Sequence, residues 1–193
     1  MKSTRFYSAF FLFFFSASVF FAHDSVCLAE DDVSTLTKQN IRAFIEETTD
    51  ITTGNGGLSA ERISTYLDKH LDKKARFKSV MKYHIPGMPS QEVGFSLGKD
   101  EFMESVQKGA ESTQDYETVV EIKDIKIASN GKKAFVKTRN TEYATMAVPT
   151  DTGGSEAVPM EGVSECMQIL SLNKGIIQMY SANCVTNIQF MEY

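Results

Sequence analysis

The spacing of apolar residues changes once along the chain, from the period of a helix to the period of a strand. Up to Leu71 apolar residues recur about every 3.6 positions, which predicts two helices. The first has a plausible N-cap at Ser34 and runs to about Asp50, and the second starts near Ser59. The glycine-rich residues 53–57 separate them, because a glycine cluster does not sustain a helix. We expect a helical hairpin.

From residue 76 onward the apolar residues alternate with polar ones. Phe77, Met81 and Tyr83 fall on one face of a predicted strand, whereas Lys78 and His84 fall on the other. The first face is predicted to be buried. A short strand over residues 91–97 and a third helix from about Gly98 follow, with Phe102 and Val106 pointing inward.

The dipeptide at 130–131, Asn-Gly, is a strong signal for a tight hairpin, because both residues tolerate positive φ. The predicted arms are residues 116–129 and 132–148. In the first arm the apolar positions shift from even numbers to odd ones, which predicts a β-bulge near residues 123–124. Residues 149–162 are polar and are predicted to form a long loop.

Two cysteines lie on the last two predicted strands, residues 163–172 and 176–189. With residues 173–175 as the loop, Cys166 and Cys184 become diagonal neighbours, farther apart than a disulfide allows without a register shift or bulge. The sequence does not decide between a disulfide and a pair of buried thiols.

The N-terminus has the plan of a secretory signal peptide. Two basic residues precede an apolar run over residues 6–21, and small side chains at 27 and 29 predict cleavage before Glu30. An uncleaved anchor is the alternative, although the run is shorter than the roughly 20 residues that span a bilayer. We therefore expect a signal peptide over 1–29, a single mature domain over 30–193, periplasmic or secreted, and no membrane segment after cleavage.

Composition excludes several classes of function. The chain has 193 residues, 42% of them hydrophobic, which suffices for one core. Its net charge is −5 and its basic residues are scattered, so nucleic acid is not an expected partner. The mature chain holds only His70 and His84 as histidines, without metal-ligand spacing, and has no phosphate-binding glycine motif. No metal and no cofactor are expected.

The order of elements, together with the segment Ser-Leu-Gly-Lys-Asp-Glu-Phe at 96–102, resembles the NTF2-like superfamily, in its SnoaL-like and ketosteroid-isomerase-like branch. The resemblance covers about residues 33–190. It implies an α+β fold: an NTF2-like cone of three helices packed in a strongly bent antiparallel sheet with an internal pocket. The bulge near 123–124 is the bend that such a sheet needs.

The resemblance also directs attention to acid–base groups inside the cone. The isomerases carry a Tyr on the first helix, which this chain lacks, and His84 is predicted to point outward, unlike the inward His of the dehydratases. The acidic residues Asp72, Glu92 and Glu142 are candidates for a buried carboxylate with a raised pKa. Charged residues in such a pattern usually face solvent, which is the prediction for all three. No catalytic residue is assigned. Pocket-lining candidates are Tyr66, Phe77, Met81, Tyr83, Phe102, Val106, Tyr143 and Tyr180.

These observations favour a domain that binds a small apolar or amphipathic molecule, or that supports a protein partner or a second copy of itself. An enzyme of the isomerase or dehydratase kind is the first alternative. An interaction module of a cell-envelope assembly is the second.

Overall fold

The computed structural model of the protein describes residues 33–53, 59–84, 89–112, 114–149 and 155–191. The expected signal peptide and its cleavage site lie outside the described residues. None of the helices within these ranges is long and apolar enough to cross a membrane.

Within the described residues, three helices and six strands follow one another in the predicted order. The elements are α1 (Lys38–Thr52), α2 (Ala60–His70), β1 (Leu71–His84), β2 (Gln91–Leu97), α3 (Lys99–Ser112), β3 (Gln114–Ile127), β4 (Lys133–Pro149), β5 (Ser155–Asn173) and β6 (Ile176–Phe190). The strands form one sheet in the order β2-β1-β6-β5-β4-β3. The α+β class is confirmed.

The sheet is mixed, so the prediction of an entirely antiparallel sheet is wrong. Strand β1 runs parallel to β6, whereas every other neighbouring pair is antiparallel. Parallel neighbours need a long connection, and here β2, α3 and three further strands separate β1 from β6 in sequence. Period-two alternation identifies the buried face of a strand but carries no information about its direction.

The helix starts follow from side-chain caps. Thr37, rather than the predicted Ser34, caps α1: its Oγ1 accepts from the Asn40 amide at 3.1 Å, while Asn40 Oδ1 accepts from the Thr37 amide at 2.8 Å. Helix α2 starts next to Ser59, where its start was predicted, and Ser59 caps it by accepting from the backbone amide of Arg62.

The predicted hairpin at 130–131 joins β3 to β4, with Gly131 at a φ of +65°. The carbonyl of Gly131 accepts from the Leu36 amide at 2.8 Å, so the turn also anchors the segment before α1. A register shift between Ile122 and Asp124 confirms the predicted bulge.

The predicted loop over 149–162 is wrong for most of its length. Strand β4 continues to Pro149, and β5 already begins at Ser155, opposite it. Pro159 and Gly162 made this stretch resemble a loop, because both residues are depleted from strand interiors. Between them Met160 is buried, which supplies the inward position that continues the strand.

The turn between β5 and β6 places the two cysteines opposite each other. It has two residues, Lys174 and Gly175, both with positive φ, rather than the three assumed from the sequence. A register shift next to Leu170 then adds one more residue on β6. Together these changes pair Cys166 directly with Cys184, and the two form a disulfide.

A candidate ligand-binding cavity

A cavity of about 930 Å³ lies between the helices and the inner face of the sheet. Its walls come from α1, α2, α3 and all six strands. The apolar part of the lining includes Ile45, Leu67, Leu71, Phe77, Met81, Tyr83, Phe95, Leu97, Phe102 and Met179. Gln91, Glu92 and Val93 of the edge strand β2 also line it and are exposed, which marks the side that solvent reaches.

A carboxyl group is buried in the wall of this cavity. Strand β4 turns Thr138, Asn140 and Glu142 inward, in step with the buried Val136 and Ala144. Only 5% of the Glu142 surface is exposed, and burial raises its pKa from 4.5 to about 7, although a hydrogen bond from Tyr116 opposes that rise. The carboxyl can therefore gain or lose a proton near neutral pH.

Tyr116 of β3 is the direct partner of Glu142. It is 5% exposed, and burial together with the neighbouring carboxylate raises the pKa of its phenol, so the hydroxyl remains a donor. Gly162 stands opposite Glu142 on β5 and has no side chain. A Cβ there would lie 3.7 Å from Glu142 Oε2, so the carboxyl occupies the space above this glycine.

Three more polar atoms in the lining residues have no hydrogen-bond partner among the described residues. They are Asn140 Oδ1, Gln168 Oε1 and Ser79 Oγ, all buried. The amide nitrogen of Gln168 donates to Thr138 Oγ1 at 3.2 Å, which leaves its oxygen unpaired. A buried polar atom without a partner costs roughly 1–3 kcal/mol, so these positions favour a polar group that enters the cavity.

The disulfide forms part of the same wall. Cys166 and Cys184 both line the cavity, with an S–S distance of 2.06 Å, between Thr138 of β4 and Ser79 of β1 in the register of the sheet. The bond ties the two strands together beneath the polar positions.

Four of the eight sequence candidates line the cavity: Phe77, Met81, Tyr83 and Phe102. The rings of Phe77 and Phe102 stack with centroids 3.8 Å apart, which joins β1 to α3. Val106 is fully buried in the core beneath and does not reach the cavity surface.

The other three tyrosines have different positions. Tyr66 is partly buried and does not line the cavity, and its hydroxyl lies 2.8 Å from the Thr48 hydroxyl, with which it forms a hydrogen bond. Tyr143 and Tyr180 are 41% and 42% exposed, so the prediction that they line the cavity is wrong. Tyr143 follows the inward Glu142 and must face outward, and Tyr180 is the extra residue at the register shift of β6.

Neither His70 nor His84 lines the cavity. His70 Nδ1 lies 2.9 Å from the Ile177 carbonyl, and its ring stacks on Tyr66, which explains its place at the end of α2. His84 is exposed as predicted, with Nδ1 2.9 Å from the Ser90 hydroxyl. Among the described residues no group of three or more His, Cys, Asp or Glu side chains is placed to hold a metal ion.

The sequence pattern offered Glu142 as one of three possible buried acids but favoured its exposure. The prediction that Glu142 faces solvent is wrong, and Tyr116, Asn140 and Gln168 were not singled out. The signal was present in the parity of β4: Ala134, Val136 and Ala144 are apolar and even-numbered, which assigns Glu142 to the same buried face.

Comparison with known proteins identifies the fold. No family model matches the chain, and no curated protein matches its sequence. Several solved structures are similar at TM-scores just above 0.5. A putative scytalone dehydratase from Novosphingobium aromaticivorans (TM-score 0.53) is 10% identical, with 80% of this chain and 89% of that chain covered.

Two further structures align over similar lengths. A type 2 hexachlorocyclohexane dehydrochlorinase (TM-score 0.52) is 9% identical, covering 80% of this chain and 91% of that one. A conserved protein from Planctomyces limnophilus (TM-score 0.51) is 14% identical, covering 77% and 98%. The helices, the sheet and these alignments show that the chain has the NTF2-like fold that its sequence resembles.

Proposed function

We propose that the protein binds a small, mostly apolar molecule carrying at least one polar group in the cavity between its helices and its sheet. The volume of about 930 Å³ lies within the roughly 300–1,000 Å³ of small-molecule sites. Such sites combine apolar walls with a few polar groups, and here Glu142, Asn140, Gln168 and Ser79 supply the polar groups of the lining.

The observation that carries the proposal is the buried pair of Glu142 and Tyr116. Packing alone would favour an apolar residue at position 142, because burial of the carboxyl costs free energy that its single bond from Tyr116 does not offset. A buried acid with a strongly raised pKa in a cavity is typical of a functional site.

The test fills the cavity with a large side chain that projects from β3. Thr118 lines the cavity from β3, whereas its neighbour Glu117 is exposed on the opposite face. Thr118→Trp should abolish binding of 2-naphthylmethanol in calorimetric titration, and the matched Glu117→Trp should leave it intact. Equal binding by both variants would place the probe elsewhere and refute the proposal.

Proton-transfer catalysis is the second candidate, and the pKa of Glu142 favours it. A general acid or base works best with a pKa near the operating pH and contributes roughly 10²–10⁴-fold to a rate. Two proteins of similar fold are a dehydrochlorinase and a putative dehydratase. In this alternative Glu142 moves the proton while Tyr116 donates a hydrogen bond to it or to the substrate.

Kinetics separate the two candidates. Turnover of a halogenated or hydroxylated cyclic substrate that falls at least about 100-fold in Glu142→Gln would establish catalysis. Binding of such compounds without turnover, in wild-type protein, would leave ligand binding as the function.

We also propose that the mature domain works outside the cytoplasm, in the periplasm or as a secreted protein. The N-terminal pattern supports this, and so does the Cys166–Cys184 disulfide, because disulfides persist in oxidising compartments. The mass of the exported protein should correspond to a chain that begins at Glu30. An intact N-terminus in the membrane fraction would contradict the proposal.

A further inference from the structure

The hydrogen-bond donors in the cavity wall are mostly used by the protein itself. Four hydroxyls of the helical wall donate to backbone carbonyls of their own helices at 2.5–2.9 Å, namely those of Thr49, Thr52, Thr53 and Ser105. Across the cavity, Tyr116 bonds Glu142, and the Gln168 amide nitrogen donates to Thr138. The Ser79 hydroxyl has no partner among the described residues and is able to donate.

The acceptors, in contrast, are left open. Asn140 Oδ1 and Gln168 Oε1 lack a partner among the described residues, and the Glu142 carboxyl has capacity beyond its bond from Tyr116. Gln168 and Glu142 are 8% and 5% exposed, so water competes little for them. A ligand that supplies donors is complementary to this wall, whereas one that supplies only acceptors is not.

The charge of the wall points the same way. None of the described Lys, Arg or His residues forms an ion pair with Glu142. The other titratable groups lining the cavity are Lys78 and Tyr83 on β1, Glu92 on β2 and Tyr116 on β3. Lys78 is exposed on the outer side of its strand, and Glu92 pairs with Lys82 at 3.7 Å, which leaves the buried carboxyl uncompensated.

We infer that the ligand is an amphipathic organic amine, with its apolar body against the aromatic wall and its ammonium group beside Glu142. This inference rests on the proposed binding function and narrows its ligand class. The ammonium supplies donors to the carboxylate and to the open amide oxygen of Asn140, which lies two residues away on the same face of β4. A charge-assisted bond of this kind in a buried site is about twice as strong as a neutral one.

Binding of an amine beside Glu142 should depend on pH. Since burial holds the pKa of Glu142 at about 7, the carboxyl is mostly neutral in more acidic solution, whereas an alkylammonium stays charged up to about pH 9–10. Affinity for the amine should therefore rise about tenfold or more between pH 5.5 and 7.5 and then level off. Affinity for an alcohol with the same body should change far less.

The experiment compares three probes that share one apolar body: 2-naphthylmethylamine, 2-naphthylmethanol and 2-naphthoate. Calorimetric titration of the wild-type mature protein at pH 7.5 should rank the amine about tenfold or more tighter than the alcohol, and the carboxylate weakest. Glu142→Gln should remove the preference for the amine, while Glu165→Gln, a carboxylate on the exposed face, should retain it.

Each outcome is decisive. An alcohol or carboxylate that binds wild-type protein as tightly as the amine overturns the inference and leaves the proposed function standing. Failure of all three probes to bind refutes both. The comparison of probes and the pH dependence use wild-type protein alone, so they do not depend on how well a variant folds.

Discussion

Replacing Glu142 by Gln should stabilise the protein at neutral and alkaline pH. Gln has nearly the same shape and can still accept from Tyr116, but it carries no charge to bury. Burial raises the pKa of Glu142 from 4.5 to about 7 in the folded protein. The folded state therefore holds this proton more tightly than the unfolded chain does.

This difference in pKa sets the sign and the size of the change in stability with pH. Below pH 4.5 the carboxyl is neutral in both states, so its contribution to stability is fully present there. As the pH rises to 7, unfolding releases a proton and the free energy of unfolding falls by about 3 kcal/mol, at about 1.4 kcal/mol for each tenfold change in the ionisation equilibrium. Glu142→Gln has no such loss.

Urea denaturation between pH 4.5 and 8 measures this directly. The stability of Glu142→Gln minus that of wild type should increase by about 3 kcal/mol across the range, whatever constant offset the substitution adds. The exposed control Glu165→Gln should track wild type throughout. A difference for Glu142→Gln that stays flat or shrinks as the pH rises would refute the burial argument.

Three further substitutions test the fold around the cavity. Replacing Cys166 and Cys184 by Ser should lower the free energy of unfolding by about 3 kcal/mol, because the disulfide closes a loop across 18 positions. An unchanged midpoint in urea denaturation would show that the thiols are free. Gly131→Ala should lower the free energy of unfolding by more than about 1 kcal/mol, because the φ of Gly131 is +65° and a Cβ there would lie 2.0 Å from Thr35 Oγ1. Gly94→Ala should lower it less, because the nearest atom to a Cβ there is 3.9 Å away. Met81→Ala should lower the free energy of unfolding by about 2–5 kcal/mol, as Met81 is 4% exposed, and a cost near zero would show that the face assignment of β1 is wrong.

Local patterns predicted most of the fold. The alternation of Phe77, Met81 and Tyr83 assigned the buried face of β1, and the Asn-Gly turn together with the shift of parity after Ile122 located the hairpin and its bulge. These features depend on neighbouring residues, so the sequence displays them directly. The parallel pairing of β1 with β6 depends on strands far apart in the chain and leaves no periodic signal.

The candidate site was harder to predict because it violates a general preference. Charged side chains are rarely buried, and that rule assigned Glu142 to the surface. The parity of β4 contradicts the rule, and the structure follows the parity. The prediction that Tyr180 lines the cavity was wrong for another reason. The extra residue on β6 turns the Tyr180 ring outward, and this register shift is visible only in the observed pairing of β5 with β6.

The most direct test of the ligand-binding proposal is a crystal structure of the mature protein grown with a saturating concentration of 2-naphthylmethylamine. We expect density for the naphthyl group between Met81 and Phe102, with the amine nitrogen within hydrogen-bonding distance of a Glu142 oxygen. An empty cavity, or a probe found only on the exposed face of the sheet, would contradict the account.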